Sequence, residues 1–273
     1  MSLRDTLLAS RRMRQAAKLL FGRTAMYRRM VAQQSHAVQS RLCAKYFPNL
    51  TVNGGPFAGL RYPAARASGS SFLPKLAGFY ECELQGILST VIKRGVHRMV
   101  DVGCAEGYYA VGMARAVPSL AVEAYDIDAH ARQLCVELAK ANGVASRVTV
   151  KGELDADRLS TIVAETPNTF VLSDCEGFEL PLIEGLDKNV IRYATFLIEC
   201  HDHFVKTPIS ERLAALLRAT HDVTLIASIS DRDRAQFIDS HSPYRDCGAF
   251  DRHILTSEGR GAQMFWVYAV PCS

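Results

Sequence analysis

The sequence predicts a Rossmann-like α/β fold, in which helices cover both faces of a mostly parallel sheet. From about residue 96 onward, short apolar runs alternate with amphipathic helical stretches, as they do in successive βα units. The first run ends in a glycine-containing turn, and polar residues follow several of the later runs. Ligand sites of open α/β sheets lie beyond the carboxyl ends of the strands, so we expect the site there.

Seven apolar runs have the length and composition of strands. They lie at residues 97–102, 121–126, 147–151, 169–173, 194–199, 222–229 and 263–270. A polar stretch of about 30 residues separates the last two runs, and a connection of that length inside a compact domain is usually functional or mobile.

Helix signals fill the intervals between these strands. One helix follows the first strand as far as about residue 117. The next opens at Asp128, a suitable N-cap, and stops at Gly143. A later helix starts with Thr207 as cap and Pro208 as first helical residue. The residues predicted to face the core are Ala131, Leu134, Cys135 and Leu138 in the second helix and Ile209, Leu213, Leu216 and Leu217 in the later one.

The segment before the first strand is less regular. Residues 53–54 form a good two-residue hairpin turn, but Pro56 would interrupt one strand, so we expect only a short β element. Helical spacing over residues 80–93, ended by Gly95, predicts a helix.

The first 41 residues carry a strong excess of positive over negative charge. They contain nine Lys or Arg and one acid, Asp5, in a chain whose net charge is +4. This pattern predicts a basic helical extension that packs on the protein, binds an anionic membrane surface or nucleic acid, or acts as a transit peptide. We therefore divide the chain into an extension at 1–41, an intermediate segment at 42–95 and the main domain at 96–273.

Composition argues against several other classes of protein. With 48% hydrophobic and 22% charged residues, the chain contains no run of the roughly 18 apolar residues that a membrane span needs. Its eight cysteines form no C-x-x-C pair, and no secretory segment begins the chain. We expect a soluble cytoplasmic protein with reduced thiols. If the basic extension binds lipid, the protein would associate peripherally with a membrane.

The turn after the first strand reads D-V-G-C-A-E-G over residues 101–107. Gly103 and Gly107 allow a sharp turn and close approach to a ligand, and the following helix offers N–H groups at its positive end. A dinucleotide site would read G-x-G-x-x-G, whereas here an acid, Asp101, precedes G-x-x-x-G. This carboxylate suits a cationic ligand, and S-adenosylmethionine carries sulfonium and ammonium groups.

Two further acids follow the next strands. Asp126 ends the second strand, 19 residues beyond Gly107, where a carboxylate can accept hydrogen bonds from both ribose hydroxyls. Nicotinamide cofactors use the same position. After the third strand, Glu153 either contacts the adenine or is an ordinary surface acid.

Residues from Gly55 to about His203 resemble FkbM-type methyltransferases, a branch of the class I S-adenosylmethionine-dependent family. The resemblance depends on the motifs at 101–109, on D-C-E-G-F-E at 174–179, on E-C-H at 199–201, and on the segments 55–60 and 80–84. It implies a sheet of seven strands with an antiparallel last strand, S-adenosylmethionine as cofactor, and O-methylation of a sugar, glycan or natural-product hydroxyl. The cofactor contacts expected from the motifs and the resemblance are Glu81, Asp101, Gly103, Cys104, Ala105, Gly107, Tyr108, Asp126, Ile127, Glu153 and Asp174.

Four polar residues at the ends of strands four and five are the predicted catalytic set, Asp174, Glu176, Glu199 and His201. We expect these two strands to lie beside the first strand. Since the sulfonium already activates the methyl group, the protein's additional task is to remove a hydroxyl proton. His201 is the first candidate for this general base and Asp174 the second.

Other interpretations of these residues stay open. His201 is alternatively a structural imidazole bonded to a carboxylate. We predict no metal ligands, but the acids together with His201, Asp202 and His203 form an alternative divalent-metal site. Glu179 is interpreted as a first-turn acid favoured by the helix dipole.

The acceptor is predicted to be a small molecule or glycan, with nucleic acid less favoured. Enzymes that methylate amino groups of bases commonly carry Asn/Asp-Pro-Pro-aromatic after strand four, whereas residues 173–177 read S-D-C-E-G. Ribose O-methylation of RNA and a cofactor-binding module without catalysis are the alternative functions. The glycine spacing disfavours a dehydrogenase.

Overall fold

The computed structural model describes residues 25–202, 207–238, 243–260 and 262–272 of the 273-residue chain. Contacts divide the chain into a unit of residues 1–48 and a unit of residues 49–273. In the first unit, helix α1 spans Ala25–Tyr46, so a helical N-terminal region is present and extends past residue 41. The basic residues before position 25 and the proposed ligand His203 lie outside the described residues.

Among the described residues, all other α-helices and all strands lie in the second unit. In chain order these are α2 (Phe72–Ala77), α3 (Gln85–Arg94), β1 (Arg98–Val102), α4 (Tyr108–Ala116), β2 (Ala121–Tyr125), α5 (Ala129–Ala141), β3 (Val148–Lys151), α6 (Ala156–Glu165), β4 (Thr169–Ser173), α7 (Glu179–Glu184), β5 (Ala194–Cys200), α8 (Ile209–Leu217), β6 (His221–Ala227), α9 (Asp231–Arg234), α10 (Ala249–Thr256) and β7 (Phe265–Pro271). Among the described residues, no helix is long and apolar enough to cross a bilayer.

The seven strands form one sheet in the order β3-β2-β1-β4-β5-β7-β6. Strands β1 to β5 are parallel, and β7 runs antiparallel to both β5 and β6. The predicted Rossmann-like fold is therefore confirmed. One detail differs, because β5 pairs with β4 and is separated from β1 by that strand.

Strand register aligns the ends of three neighbouring strands. Val102 of β1 pairs with Ser173 of β4, and Ser173 pairs with Ile198 of β5. The residues that follow these positions therefore lie side by side at one edge of the sheet. Beneath this edge, alternate residues of β1 pack into a core with helices α6, α7 and α8, through Val100, Val102, Leu159, Ile162, Leu182, Ile183 and Leu213.

Several predicted elements have different boundaries in the structure. Helix α3 begins at Gln85 rather than residue 80, because Glu81 has the left-handed backbone conformation (φ 44°) and a 3-10 turn follows over Cys82–Leu84. The expected β element at 53–54 is reduced to one antiparallel bridge between Thr51 and Arg61.

The helix caps and faces can also be compared with the predictions. Asp128 caps α5 as predicted, since its side chain accepts a hydrogen bond from the His130 N–H. Helix α8 starts one residue later than expected, with Pro208 outside it as the N-cap. Leu216 was expected in the core but is 37% exposed, because Leu213 and Leu217, four residues apart, define the buried face.

Candidate functional site

A cavity of about 940 Å³ opens at the carboxyl ends of the central strands. It brings together most of the residues predicted from the sequence, namely Gly103, Cys104, Ala105, Tyr108, Asp126, Ile127, Glu153, Asp174, Glu176, Glu199 and His201. Three predicted cofactor contacts, Glu81, Asp101 and Gly107, do not line it.

The glycine turn is shaped by packing inside the protein. Gly103 has a φ of +80°, and a Cβ there would lie 1.7 Å from the carbonyl oxygen of Asp174. Gly107 has a φ of +92°, and its Cβ would lie 2.6 Å from Sγ of Cys135. The N–H groups of Gly103 and Cys104 both donate to the Tyr125 carbonyl, so they are engaged within the protein. These glycines are therefore needed to bring β1 against β4 and α4 against α5, in addition to any ligand contact.

Asp126 joins the glycine turn to the end of β2. One of its carboxylate oxygens accepts from the Ala105 N–H at 2.9 Å, and the other accepts from the Asp128 N–H at 2.8 Å. Each oxygen keeps a second lone pair, and the carboxylate lies on the cavity wall, where a ribose can donate to it. The neighbouring Ile127 is 84% exposed, and Glu153 is exposed at the same end of the cavity.

Asp101 occupies a different environment from the one that the sequence suggested. Its side chain is completely buried and is not part of the cavity wall. Neither carboxyl oxygen has a hydrogen bond of normal geometry among the described residues. Burial raises the pKa of Asp101 to about 7, an effect that the nearby Ala110 N–H partly opposes.

His201 lies among four carboxylates. Its Nδ1 is 3.1 Å from an oxygen of Glu179. Its Nε2 lies 3.2 Å from Glu176, 3.6 Å from Glu199 and 3.8 Å from Asp174. His201, Glu199 and Glu179 are buried, whereas the Glu176 side chain is 75% exposed and that of Asp174 is 26% exposed. The predicted catalytic residues are therefore assembled into one group, which we call the His201 cluster (Asp174, Glu176, Glu179, Glu199 and His201).

Glu179 has a larger role than the sequence suggested. It begins α7, but its fully buried carboxylate also accepts from the N–H groups of Cys175 (3.1 Å) and Gly177 (2.9 Å). Those bonds hold the loop between β4 and α7, in which Glu176 (φ 57°) and Gly177 (φ 108°) are both left-handed. The position of Glu179 in the first turn of α7 predicts only a favourable interaction between its carboxylate and the helix dipole. Only the tertiary fold places the carboxylate next to His201.

The cluster changes the proton affinity of its members. Burial and the charge of Glu199 raise the pKa of Asp174 well above its ordinary value. Burial alone would lower the pKa of His201, but the hydrogen bond and charge of Glu179, with the charges of Glu199 and Glu176, raise it. Burial opposes ionisation of Glu179 as well, but the bonds from His201 and the backbone outweigh it and lower the pKa of this carboxyl.

The C-terminal segment supplies residues that the sequence analysis did not identify. The Arg260 guanidinium forms ion pairs with Glu81, Glu199 and Glu258, and it lines the cavity together with Met264. Burial, with the charge of Arg260 opposing it, raises the pKa of Glu81 to about 8. The length of the polar segment at 230–262 was the only sequence signal for these contacts.

Lys75 was also missed. It is buried, forms a 2.5 Å ion pair with Glu106 and contributes to the cavity wall. Its Nζ lies 4.7 Å and 5.3 Å from the ring centroids of Tyr80 and Tyr108. A lysine within the otherwise apolar helix α2 was the available signal.

Residues 85–167 match the family model of the methyltransferase small domain. S-adenosylmethionine is the cofactor of methyltransferases with this domain. The matched residues extend from α3 to just before β4, so they include the glycine turn, Asp126 and Glu153. The cofactor prediction is thereby confirmed, while the FkbM branch stays a prediction. A search of curated proteins finds no sequence that matches this chain.

Solved structures with a similar fold include several methyltransferases. Precorrin-6y C5,15-methyltransferase from Geobacter metallireducens has 11% identity and a TM-score of 0.43, and the alignment covers 69% of this chain and 88% of that one. An O-methyltransferase from Bacillus cereus in complex with SAH has 11% identity and a TM-score of 0.44, and the alignment covers 85% of this chain and 90% of that one. The B. subtilis M1A22 tRNA methyltransferase TrmK has 10% identity and a TM-score of 0.43, and the alignment covers 68% of this chain and 65% of that one. At these scores, none of the three defines an acceptor for this chain.

Proposed function

We propose that this protein transfers the methyl group of S-adenosylmethionine to a hydroxyl of a sugar, glycan or natural-product acceptor. The observation that carries this proposal is the His201 cluster, a group of acid–base side chains of which four, all except Glu179, line the cofactor cavity. Methylation of a hydroxyl requires loss of its proton, and such groups provide acceptors for that proton.

The order of the strands supports the position of the cluster relative to the cofactor. Asp126 and Glu153 follow β2 and β3 on one side of β1, and Asp174 and Glu199 follow or end β4 and β5 on the other. A cofactor that lies across these strand ends, with its adenosine at β2 and β3, directs its methionine part towards the cluster. The methyl group would then lie close to the residues that handle the hydroxyl proton.

The cavity favours a small acceptor. Small-molecule sites usually measure about 300 to 1,000 Å³, and the volume of about 940 Å³ is at the upper end of that range. The space accommodates the cofactor with an acceptor group beside it. Tyr80, Phe178 and Met264 provide apolar wall, against which the carbon face of a ring can pack.

Methyl transfer is then an in-line displacement. The acceptor oxygen attacks the methyl carbon while the carbon–sulfur bond breaks, and the sulfonium becomes a neutral thioether. The hydroxyl proton leaves to the carboxylates and imidazole of the cluster or through them to water. The protein contributes mainly by orienting the two reactants and by lowering the cost of that proton loss.

The proposal is tested by incubating the protein with methyl-labelled S-adenosylmethionine and panels of sugars, glycans and hydroxylated natural products. We expect label in an acceptor of one of these classes, detected by mass spectrometry. Asp174→Asn should lower turnover by on the order of 10² to 10⁴ and leave the affinity for S-adenosylhomocysteine largely unchanged.

Glu184→Gln provides the matched control, because Glu184 lies on α7 and pairs with Arg212 at the surface. If label is transferred to RNA ribose and to none of these acceptors, the proposed acceptor class is wrong and the protein is an RNA ribose methyltransferase. Full activity of Asp174→Asn on an identified acceptor would show that the proposed catalytic residues are wrong.

A further inference from the structure

We propose that the His201 cluster binds a divalent cation, held by Nε2 of His201 and the carboxylates of Asp174, Glu176 and Glu199. The site is argued from geometry and charge, while its role in activating the acceptor rests on the proposed function. His201 is then a metal ligand rather than the general base expected from the sequence.

The distances within the cluster favour a shared ion over direct hydrogen bonds. Nε2 of His201 lies 3.6 Å from Glu199 and 3.8 Å from Asp174, beyond the roughly 2.7 to 3.2 Å of a hydrogen bond. Two atoms that bind one ion, each at about 2.1 Å, lie roughly 3 to 4 Å apart. The third separation, 3.2 Å to Glu176, fits either a shared ion or a hydrogen bond.

The orientation of the imidazole matches that of a metal ligand. Metal-binding histidines usually donate their other N–H to a carboxylate or carbonyl, which fixes the tautomer and the ring plane. In this protein Nδ1 lies 3.1 Å from a carboxylate oxygen of the buried Glu179. Nδ1 therefore carries a proton, and Nε2 faces the three other carboxylates.

A second observation comes from Asp174. Its Oδ1 has no solvent-accessible surface and no hydrogen-bond donor among the described residues, although the side chain lines the cavity. Buried acceptors almost always have a partner, because an unsatisfied one costs free energy. A cation placed between Oδ1 and Nε2 of His201 would supply that partner.

The charge balance also calls for a cation. Besides His201, the described residues provide one positive side chain in ion-pair contact with the four acids of the cluster, Arg260. Arg260 contacts only Glu199 among these acids, and it is shared with Glu81 and Glu258. Among the described residues, Asp174 and Glu176 therefore have no positively charged partner other than His201, and a divalent ion would provide one.

The donor set indicates the type of ion. Three carboxylates and one imidazole favour Mg²⁺ or Mn²⁺ over metals that prefer thiolate ligands. An acceptor hydroxyl bound to such an ion loses its proton more readily. The released proton passes to water. The oxygen then takes the methyl group as the carbon–sulfur bond breaks.

Mn²⁺ binding to the full chain, freed of metal by chelation and dialysis, tests this site. The electron paramagnetic resonance signal of free Mn²⁺ should fall on titration with protein and show one saturable site. Asp174→Asn and the exposed-site variant Glu176→Gln should each weaken binding by more than about 10-fold. Glu184→Gln, a carboxylate of α7 outside the cluster, should bind as tightly as the unmodified protein.

Absence of saturable Mn²⁺ binding, or unchanged affinity in both Asp174→Asn and Glu176→Gln, would overturn the proposed site. Methyl transfer that is lost with EDTA and restored by Mn²⁺ or Mg²⁺ would support its catalytic role. Transfer that is insensitive to EDTA would overturn that role and leave the proposed function standing. Specific Mn²⁺ binding without methylation of any hydroxyl acceptor would support the site and count against the proposed function alone.

Discussion

Nδ1 of His201 donates a hydrogen bond to the carboxylate of Glu179 over 3.1 Å, and both side chains are buried. The same carboxylate accepts from the amides of Cys175 and Gly177. Glu179 therefore fixes two parts of the site at once, the imidazole at the end of β5 and the loop that carries Glu176. Its position outside the cavity wall makes it a positioning residue.

The first prediction concerns this positioning role. Glu179→Gln keeps the size of the side chain but removes its charge and two of its acceptor sites. We expect Mn²⁺ affinity to fall about 10- to 100-fold, as for other residues that orient a metal ligand, with S-adenosylhomocysteine affinity unchanged. Electron paramagnetic resonance and calorimetry measure the two affinities, and equal losses in both would show a general structural role instead.

Asp126 provides a prediction about the cofactor. Asp126→Ala removes the acceptor for the ribose hydroxyls and frees the N–H groups of Ala105 and Asp128. Calorimetry should show S-adenosylhomocysteine binding weakened by roughly 1.5 to 3 kcal/mol. Asp155→Ala removes a carboxylate that also accepts a backbone N–H, at the start of α6, and should leave binding intact. An undiminished affinity in Asp126→Ala would place the ribose elsewhere.

Gly103 provides a prediction about the contact between β1 and β4. In Gly103→Ala the new Cβ would meet the Asp174 carbonyl oxygen at 1.7 Å, so one of the strand ends must move. We expect a loss of roughly 3 kcal/mol or more in unfolding free energy, with weaker cofactor binding. Gly143→Ala has the same left-handed strain (φ +69°) and no atom within 4 Å. Its loss should stay at about 1 to 2 kcal/mol, and denaturant unfolding of both variants measures the difference.

Asp101 gives a prediction about pH. Burial raises its folded-state pKa to about 7, whereas the unfolded value is about 3.9. The folded state therefore holds more protons between these values, and stability is lost as the pH rises from about 4 to 7. Asp101→Asn cannot ionise and avoids this loss. In unfolding of the ligand-free protein, it should match the unmodified chain near pH 4 and exceed it by on the order of 2 to 4 kcal/mol at pH 8.

Asp246→Asn is the control for this pH effect, because the Asp246 side chain is 86% exposed and pairs with Arg245 at the surface. It should show no comparable gain at pH 8. A stability difference between Asp101→Asn and the unmodified chain that is independent of pH would contradict the assignment to ionisation of Asp101.

The fold and the central strand ends could be predicted because their signals are local. Apolar runs, the glycine turn and the cap at Asp128 depend on neighbouring residues, and parallel topology then brings Asp174, Glu199 and His201 to one edge of the sheet. Because β2 is parallel to β1, Asp126 at the end of β2 also lies at this edge of the sheet and on the cavity wall.

The remaining features depend on contacts between distant parts of the chain. Arg260 reaches Glu81 across 179 positions, and no spacing rule connects these two residues. Asp101 has the sequence position of a ligand-facing acid, but strand alternation directs its side chain into the buried interior. Glu179 has the pattern of an ordinary helix-start acid, and its partner His201 lies 22 residues later.

The structure of the protein bound to S-adenosylhomocysteine tests the central claim most directly. We predict that the ribose hydroxyls contact Asp126, that the adenine lies towards Glu153, and that the sulfur faces the cluster of Asp174 and His201. The vacant methyl position would then open onto Nε2 of His201 and the three carboxylates around it. An adenine seated against His201, or a sulfur on the Asp126 side of β1, would contradict the proposed function.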